Sequence, residues 1–405
     1  MRSQRLLCAA IALGAAACSD CRSRADVADA APSAGPRASV ELKPALPPAA
    51  PSWRTQEDPR GFGLPAGCTL ELPIHHAALP GAARFSAARS ELDELAIAIA
   101  APGQASVESG VIARANPRVR ALPWFELDRP PAFDRTKAGW AAAFARPGEH
   151  GKSTAVLWSE QKPLRALASG DQLAVADIAC QGERCAILTT LPRAAAAPGA
   201  ALHLVDANGG VTSTDLEADP GVSWGPLAIT FFDGSTARVA LRAPDAVAIW
   251  SVAGGRAMIE HETKTAFGTY DAVSQRRTLI VAPGARVDQP CKEDRFPIRI
   301  HAGTEPAREL FAQAAPESLM LRPLEHGALI LWVAPVSCSN AGRTIVYGAL
   351  IGDDGAPLGS ATAIADAVGF AAATRGNELA LWLRSSEGLT LLRARCTAVE
   401  PPERR

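Results

Sequence analysis

The chain has 405 residues, room for one large domain or two ordinary ones, and its 48% hydrophobic content allows a sizeable core. Its 41 Lys and Arg against 42 Asp and Glu give a net charge of −1, which removes the electrostatic case for binding nucleic acid or an anionic lipid surface. Nearly all the cations are Arg and Ala is very frequent, a texture of codon usage before it is one of function.

At the N-terminus, Arg2 and Arg5 precede a short apolar run that ends in Ala15-Ala16-Ala17 before Cys18. A positive start, a brief apolar stretch and small residues at its end are the parts of an export signal. The run is well short of the roughly 20 residues a membrane span needs, and no later segment is long and apolar enough to be one. Ala15-Ala16-Ala17-Cys18 resembles the lipobox of bacterial lipoproteins, with Ala15 where that family usually has leucine. The resemblance implies cleavage before Cys18, acylation of that cysteine, and anchoring in the cell envelope. Ser19, rather than Asp, in the next position implies the outer membrane more than the inner. Acyl chains supply about 0.8 kcal/mol per buried methylene, enough in pairs for a stable anchor. The alternative is an ordinary secretory signal and a soluble periplasmic or secreted protein.

These features divide the chain into a signal peptide (1–17), an Ala- and Pro-rich tether (18–62), a folded domain (63–399) and a short tail (400–405). The tether holds almost no β-branched or aromatic residue, so it buries too little apolar surface to offset its ordering entropy and is expected to be disordered.

From residue 68 on, apolar runs of five to eight residues alternate with Gly, Asp, Asn or Pro, and few stretches read as helix. The clearest unit comprises 226–232, 236–242, 246–252 and 256–262, joined through Asp233-Gly234-Ser235, Ala243-Pro244-Asp245 and Ala253-Gly254-Gly255. Four strands joined by tight turns, with Gly where positive φ is needed, form an antiparallel meander. Similar units start near residues 83, 138, 173, 226, 269, 318 and 366, a spacing that fits propeller blades. The pattern resembles the blade repeat of β-propellers in general, without a WD40 or kelch signature. It implies an all-β fold of about seven four-stranded blades closed by an N-terminal strand; tandem β-sandwiches are the alternative. Trp158, Trp250, Trp332 and Trp382 each end an apolar run, in equivalent places by this reading, and are assigned to packing between sheets.

Export makes disulfides the default for the cysteines. Cys180 and Cys185 flank a four-residue turn, close enough to bond in a hairpin. Cys68 lies on the first strand and Cys396 on the last, which stand side by side if the first strand completes the last blade. Cys291 and Cys338 fall in loops after the second strands of successive units, on one face of neighbouring blades. Cys21 is left over on the tether. The spacing of Cys180 and Cys185, with no partnered His or second cysteine pair, is poor for zinc.

The search for chemistry yields no catalytic residue, metal site or cofactor. The segment 148–153 lacks the Gly that a phosphate loop needs, because Arg146 holds that place, and reads as a hairpin turn. His75 and His76 are adjacent on a strand and point to opposite faces, and His261-Glu262 does not extend to a zinc-protease motif. The acidic turns Asp206-Ala207-Asn208-Gly209 and Gly352-Asp353-Asp354-Gly355 have the composition of tight turns without the calcium-loop pattern. The resulting expectation is a non-catalytic, lipid-anchored envelope module presenting a propeller face to a protein or glycan. Its rival is a propeller hydrolase or lyase, marked by titratable groups converging on the central channel from several blades.

Overall fold

The computed structural model describes residues 53–78, 85–100, 107–114, 116–121, 130–148, 152–160, 162–171, 173–193, 196–216, 225–243, 246–264, 271–274, 278–284, 296–303, 305–337, 340–386 and 388–397. Short apolar runs punctuated by turn residues become, among the described residues, 29 strands, β1 to β29, in seven antiparallel sheets.

Blade 7 contains β1 (Arg54–Gln56) and β2 (Cys68–Ala78). Blade 1 follows as β3 (Phe85–Ser90), β4 (Glu94–Ala100), β5 (Val107–Ala113) and β6 (Asn116–Ala121). Blade 2 is β7 (Ala132–Thr136), β8 (Gly139–Pro147), β9 (Lys152–Ser159) and β10 (Lys162–Asp171). Blade 3 is β11 (Val175–Gln181), β12 (Arg184–Arg193), β13 (Ala196–Val205) and β14 (Val211–Leu216). Blade 4 is β15 (Gly225–Phe232), β16 (Thr236–Ala243), β17 (Ala246–Ala253) and β18 (Arg256–Lys264). Blade 5 is β19 (Asp271–Ser274), β20 (Thr278–Pro283), β21 (Phe296–Ala302) and β22 (Arg308–Ala312). Blade 6 is β23 (Ser318–Pro323), β24 (Ala328–Ser337), β25 (Asn340–Ile351) and β26 (Thr362–Asp366). The chain returns to blade 7 with β27 (Gly369–Arg375), β28 (Glu378–Arg384) and β29 (Gly388–Cys396), in the order β1-β2-β29-β28-β27.

The first strands β3, β7, β11, β15, β19, β23 and β27 lie against one another in sequence and close a ring around a central axis. The fold is a seven-bladed β-propeller, and the sandwich alternative is set aside by this ring. Gly254 and Gly255 show why the turns close so tightly: both take positive φ, 57° and 77°, which a side chain would oppose.

The core is divided among the seven blade junctions, with one apolar cluster at each. Small residues such as Ala141, Ala143, Ala240 and Ala248 are fully buried there and let neighbouring sheets approach closely. Trp332 and Trp382 are fully buried and Trp250 nearly so, as wedges between sheets. Their places are not equivalent, however. Trp332 and Trp382 lie on second strands, β24 and β28, whereas Trp158 and Trp250 lie on third strands, β9 and β17. Both middle strands of a blade are buried on two faces, so an apolar run ending in Trp does not tell them apart.

Two boundaries also differ from the sequence reading. Blade 2 starts with β7, not near residue 138, because its first strand carries Asp134 and Arg135 and does not look apolar. The sheet also takes in Arg54–Gln56, N-terminal to residue 63, which is too short a strand to show a pattern.

Candidate functional site

The blade meander puts its connections on two faces. The first-to-second strand turns, such as 137–138, 182–183, 233–235 and 376–377, lie on one face with the third-to-fourth turns. The second-to-third connections and the links between blades lie on the other. Most of the long connections join second to third strands or one blade to the next, as between β4 and β5, β6 and β7, β14 and β15, and β20 and β21, whose strand ends meet this second, loop-bearing face. Long loops carried by a rigid scaffold are where recognition usually resides.

The first strands of five blades, which ring the central channel, carry charged side chains that act on one another: Arg89, Asp134, Asp177, Asp271 and Arg322. Arg89 Nη2 lies 3.1 Å from Asp134 Oδ1, and Arg322 Nη1 lies 3.7 Å from Asp271 Oδ2. The Arg89 side chain keeps 38% of its surface accessible, so water reaches this level of the channel.

These groups also join the blades. The Cys180 N–H of blade 3 donates to Asp134 Oδ2 of blade 2 at 2.6 Å. The Ile229 N–H of blade 4 donates to Asp177 Oδ2 of blade 3 at 2.7 Å. The Leu321 N–H of blade 6 donates to Asp271 Oδ2 of blade 5 at 2.7 Å. Arg322 Nε donates to the Ala372 carbonyl of blade 7 at 2.7 Å, and Thr374 Oγ1 donates back to the Pro323 carbonyl at 2.6 Å. Asp177 and Asp271 each accept a further N–H at Oδ1, from Ile178 and Ala272 respectively, both at 2.9 Å. Burial pushes the Asp177 carboxyl up to about 6, against the N–H bonds from Ile229 and Ile178 and the charge of Arg89. Burial likewise raises Asp271, outweighing Arg322, and lowers Arg322, outweighing Asp271. Asp134 holds Arg89 above its usual value.

Sequence reasoning did not select these residues. The available signal was an Asp in the first strand of three units, 46, 52 and 50 residues before the amide it accepts.

Of the residues that were selected, Cys68 is bonded to Cys396 with Cα atoms 4.0 Å apart, and Cys180 to Cys185 at 4.1 Å. Each pair sits directly across an antiparallel ladder. Cys18, Cys21, Cys291 and Cys338 lie outside the described residues. His76 hydrogen-bonds Thr390 Oγ1 at 2.9 Å and Gln56 Oε1 at 3.1 Å. His75 instead packs edge-on to Trp53, with centroids 6.3 Å apart. His261 and Glu262 lie on the outer strand β18, opposite Ile249 and Ala248. Asp206 Oδ1 accepts the Gly210 N–H at 2.7 Å, and Asp354 Oδ1 accepts the Ala356 N–H at 2.9 Å, so these carboxylates cap their own turns. Among the described residues no three His, Cys, Asp or Glu side chains are grouped as a metal site.

A closed seven-bladed propeller with a charged, inter-blade-bonded channel is the class that fold and site define. No protein-family profile matches the sequence, and no characterised protein matches it. Among solved structures, oligogalacturonate lyase from Vibrio parahaemolyticus is similar over 87% of this chain and 99% of its own, at 9% identity and a TM-score of 0.49. The β-propeller domain of the Trilobed protease from Pyrococcus furiosus is similar over 77% of this chain and 95% of its own, at 12% identity and a TM-score of 0.47. Likeness at these identities is of fold alone.

Proposed function

We propose that this chain is an exported, lipid-anchored binding module of a bacterial cell envelope, held by Cys18 and presenting its loop-bearing face to an envelope protein or glycan. The observation that carries the non-catalytic part is the bonding of the channel acids. Each oxygen of Asp134, Asp177 and Asp271 already accepts a hydrogen bond or ion pair from the blades. They therefore act as ties between blades, not as acids and bases awaiting a substrate. The two disulfides support export, since such bonds persist in oxidising compartments.

A channel-sited hydrolase or lyase is the second reading, favoured by the convergence of charges from five blades and by Asp177 titrating at about 6.

The test is fractionation of cells carrying the native chain or Cys18→Ser, followed by crosslinking from the loop face. The native chain is expected in the membrane fraction with a crosslinked partner, and Cys18→Ser in the soluble fraction. A native chain found soluble overturns the anchor. Turnover of an envelope polysaccharide that Asp177→Asn abolishes without unfolding the protein would establish the enzyme reading instead.

A further inference from the structure

The seam between blades 4 and 5 is lined by two histidines, one from each blade. His261 stands directly opposite Ile249 in the ladder of β18 with β17, and His301 opposite Ile280 in the ladder of β21 with β20. Residues directly opposite across an antiparallel ladder share a face. Ile249 and Ile280 belong to one apolar cluster, so both rings face into the same seam. His301 is buried there, 7% exposed. The Nε2 of His261 is buried as well and has no hydrogen-bond partner among the described residues. We propose that this seam is a proton-sensitive opening in the ring: protonation of His301 loosens it ahead of the other blade junctions.

Three features make this the seam that gives way. Its cluster is small, and half of it is alanine: Ala240, Ala272 and Ala282. Asp134, Asp177 and Asp271 tie blade 2 to 3, 3 to 4 and 5 to 6, but no channel carboxylate ties blade 4 to 5 among the described residues. Finally, the buried Nε2 of His261 regains water when the seam opens, which recovers part of the cost of burying it.

The charges around His301 set the direction. On its own strand Arg299 shares its face, two residues away, and lies 3.6 Å from Glu309 of β22. From blade 4, besides His261 and Arg256 on β18, Arg238 and Arg242 of β16 alternate onto the face of Ala240, with Arg238 paired to Glu260 at 2.9 Å. The cluster residues that face the ring from β17, β19 and β20 are apolar. Burial, then Arg299, then His261 hold the His301 ring below 6.5. Its contribution to the closed seam is therefore intact above pH 6.5 and lost as the pH falls below that value. Opening hydrates the charged ring and separates it from His261. Because the links between blades lie on the loop-bearing face, this opening moves the loops of blade 4 against those of blade 5.

The test is thiol labelling of the full chain carrying Ala282→Cys in this seam or Ala349→Cys in the seam of blades 5 and 6, both fully buried positions, with the modified residue located by peptide mass spectrometry. The ratio of the two rates cancels the pH dependence of the thiol. Between about pH 7.5 and about pH 5.5 the ratio is expected to rise several-fold, with a ceiling of about tenfold per pH unit for one proton. His301→Gln is expected to abolish the rise, Arg299→Gln to shrink it, and His203→Gln, in blade 3, to leave it. If His301→Gln does not fold, NMR titration of the His301 ring in the native chain decides, with a pKa below 6.5 expected. The proposal is overturned if the ratio does not rise, if His301→Gln keeps the rise, or if the ring titrates at 6.5 or above. It depends on neither the lipid anchor nor a partner, so its failure leaves the proposed function standing, and the reverse holds.

Discussion

Asp177 shows how a half-buried charge serves a repeat fold at the scale of one residue. It spends hydrogen-bonding capacity on the next blade, and burial holds its pKa near 6 instead of 3.8. A raised carboxyl stabilises the fold most when it is protonated in both states. Its contribution is therefore full below pH 3.8 and lost as pH rises toward 6. Asp177→Ala, which orphans the Ile178 and Ile229 amides, is expected to cost about 1–3 kcal/mol. In denaturant titrations the gap from the native chain should be widest near pH 4 and narrower at pH 7; a gap that widens with pH contradicts this. His203 has the opposite sign. Burial lowers it below 6.5, between Thr189 Oγ1 at 3.0 Å and Ser213 Oγ at 2.8 Å. Its stability is intact above pH 6.5 and lost as pH falls, so His203→Gln is expected to flatten the unfolding midpoint below neutrality. Neither role was legible in the sequence. An Asp in a short strand looks like any turn-forming Asp until the next blade's amide is seen to lie against it.

At the scale of elements, most strands were legible from sequence, first strands such as β15 and β23 among them, while β7 was not. β7 does not read as a blade start because Asp134 and Arg135 interrupt its apolar pattern; β16 and β17 are plain because most of their side chains are buried. The same physics ranks the seams. The junction of blades 4 and 5 has a small cluster of Ala240, Val247, Ile249, Ala272, Ile280 and Ala282, and no channel carboxylate joins it among the described residues. The junction of blades 5 and 6 instead packs a far larger cluster around Trp332 and Phe296. Hydrogen exchange under native conditions is therefore expected to be faster in β19 than in β23 or β27. Equal protection across the three would remove the ranking. Trp53 works at the opposite seam, where it packs 5.9 Å from Trp382 of blade 7 and donates to the Ala113 carbonyl of blade 1 at 3.4 Å. Its replacement by Ala is expected to lower stability by about 1–3 kcal/mol, read as a shift in the denaturation midpoint.

The whole molecule is a ring, and its closure was the most legible feature because it follows from chain order. Unit spacing in the sequence led to seven blades, and the structure has seven, with the N-terminal strand β2 paired to β29 in the last. The chemistry of the loop-bearing face was not legible, since which loops meet depends on blade packing and not on spacing. Closure also ranks the disulfides. Cys68–Cys396 spans 328 residues and Cys180–Cys185 only 5, so in the chain-entropy picture the first constrains the unfolded chain far more. Cys68→Ser with Cys396→Ser is expected to cost about 5 kcal/mol, against about 2 kcal/mol for the hairpin pair. Equal losses in equilibrium unfolding would place the effect in native contacts instead. The central claim, an exported ring anchored by its N-terminal cysteine, is tested most directly by nonreducing peptide mass spectrometry on protein taken from its native membrane. The account predicts an N-terminal peptide that begins at acylated Cys18 and a peptide in which Cys68 is joined to Cys396. An unmodified Cys18, or Cys68 bonded to any other cysteine, would contradict it.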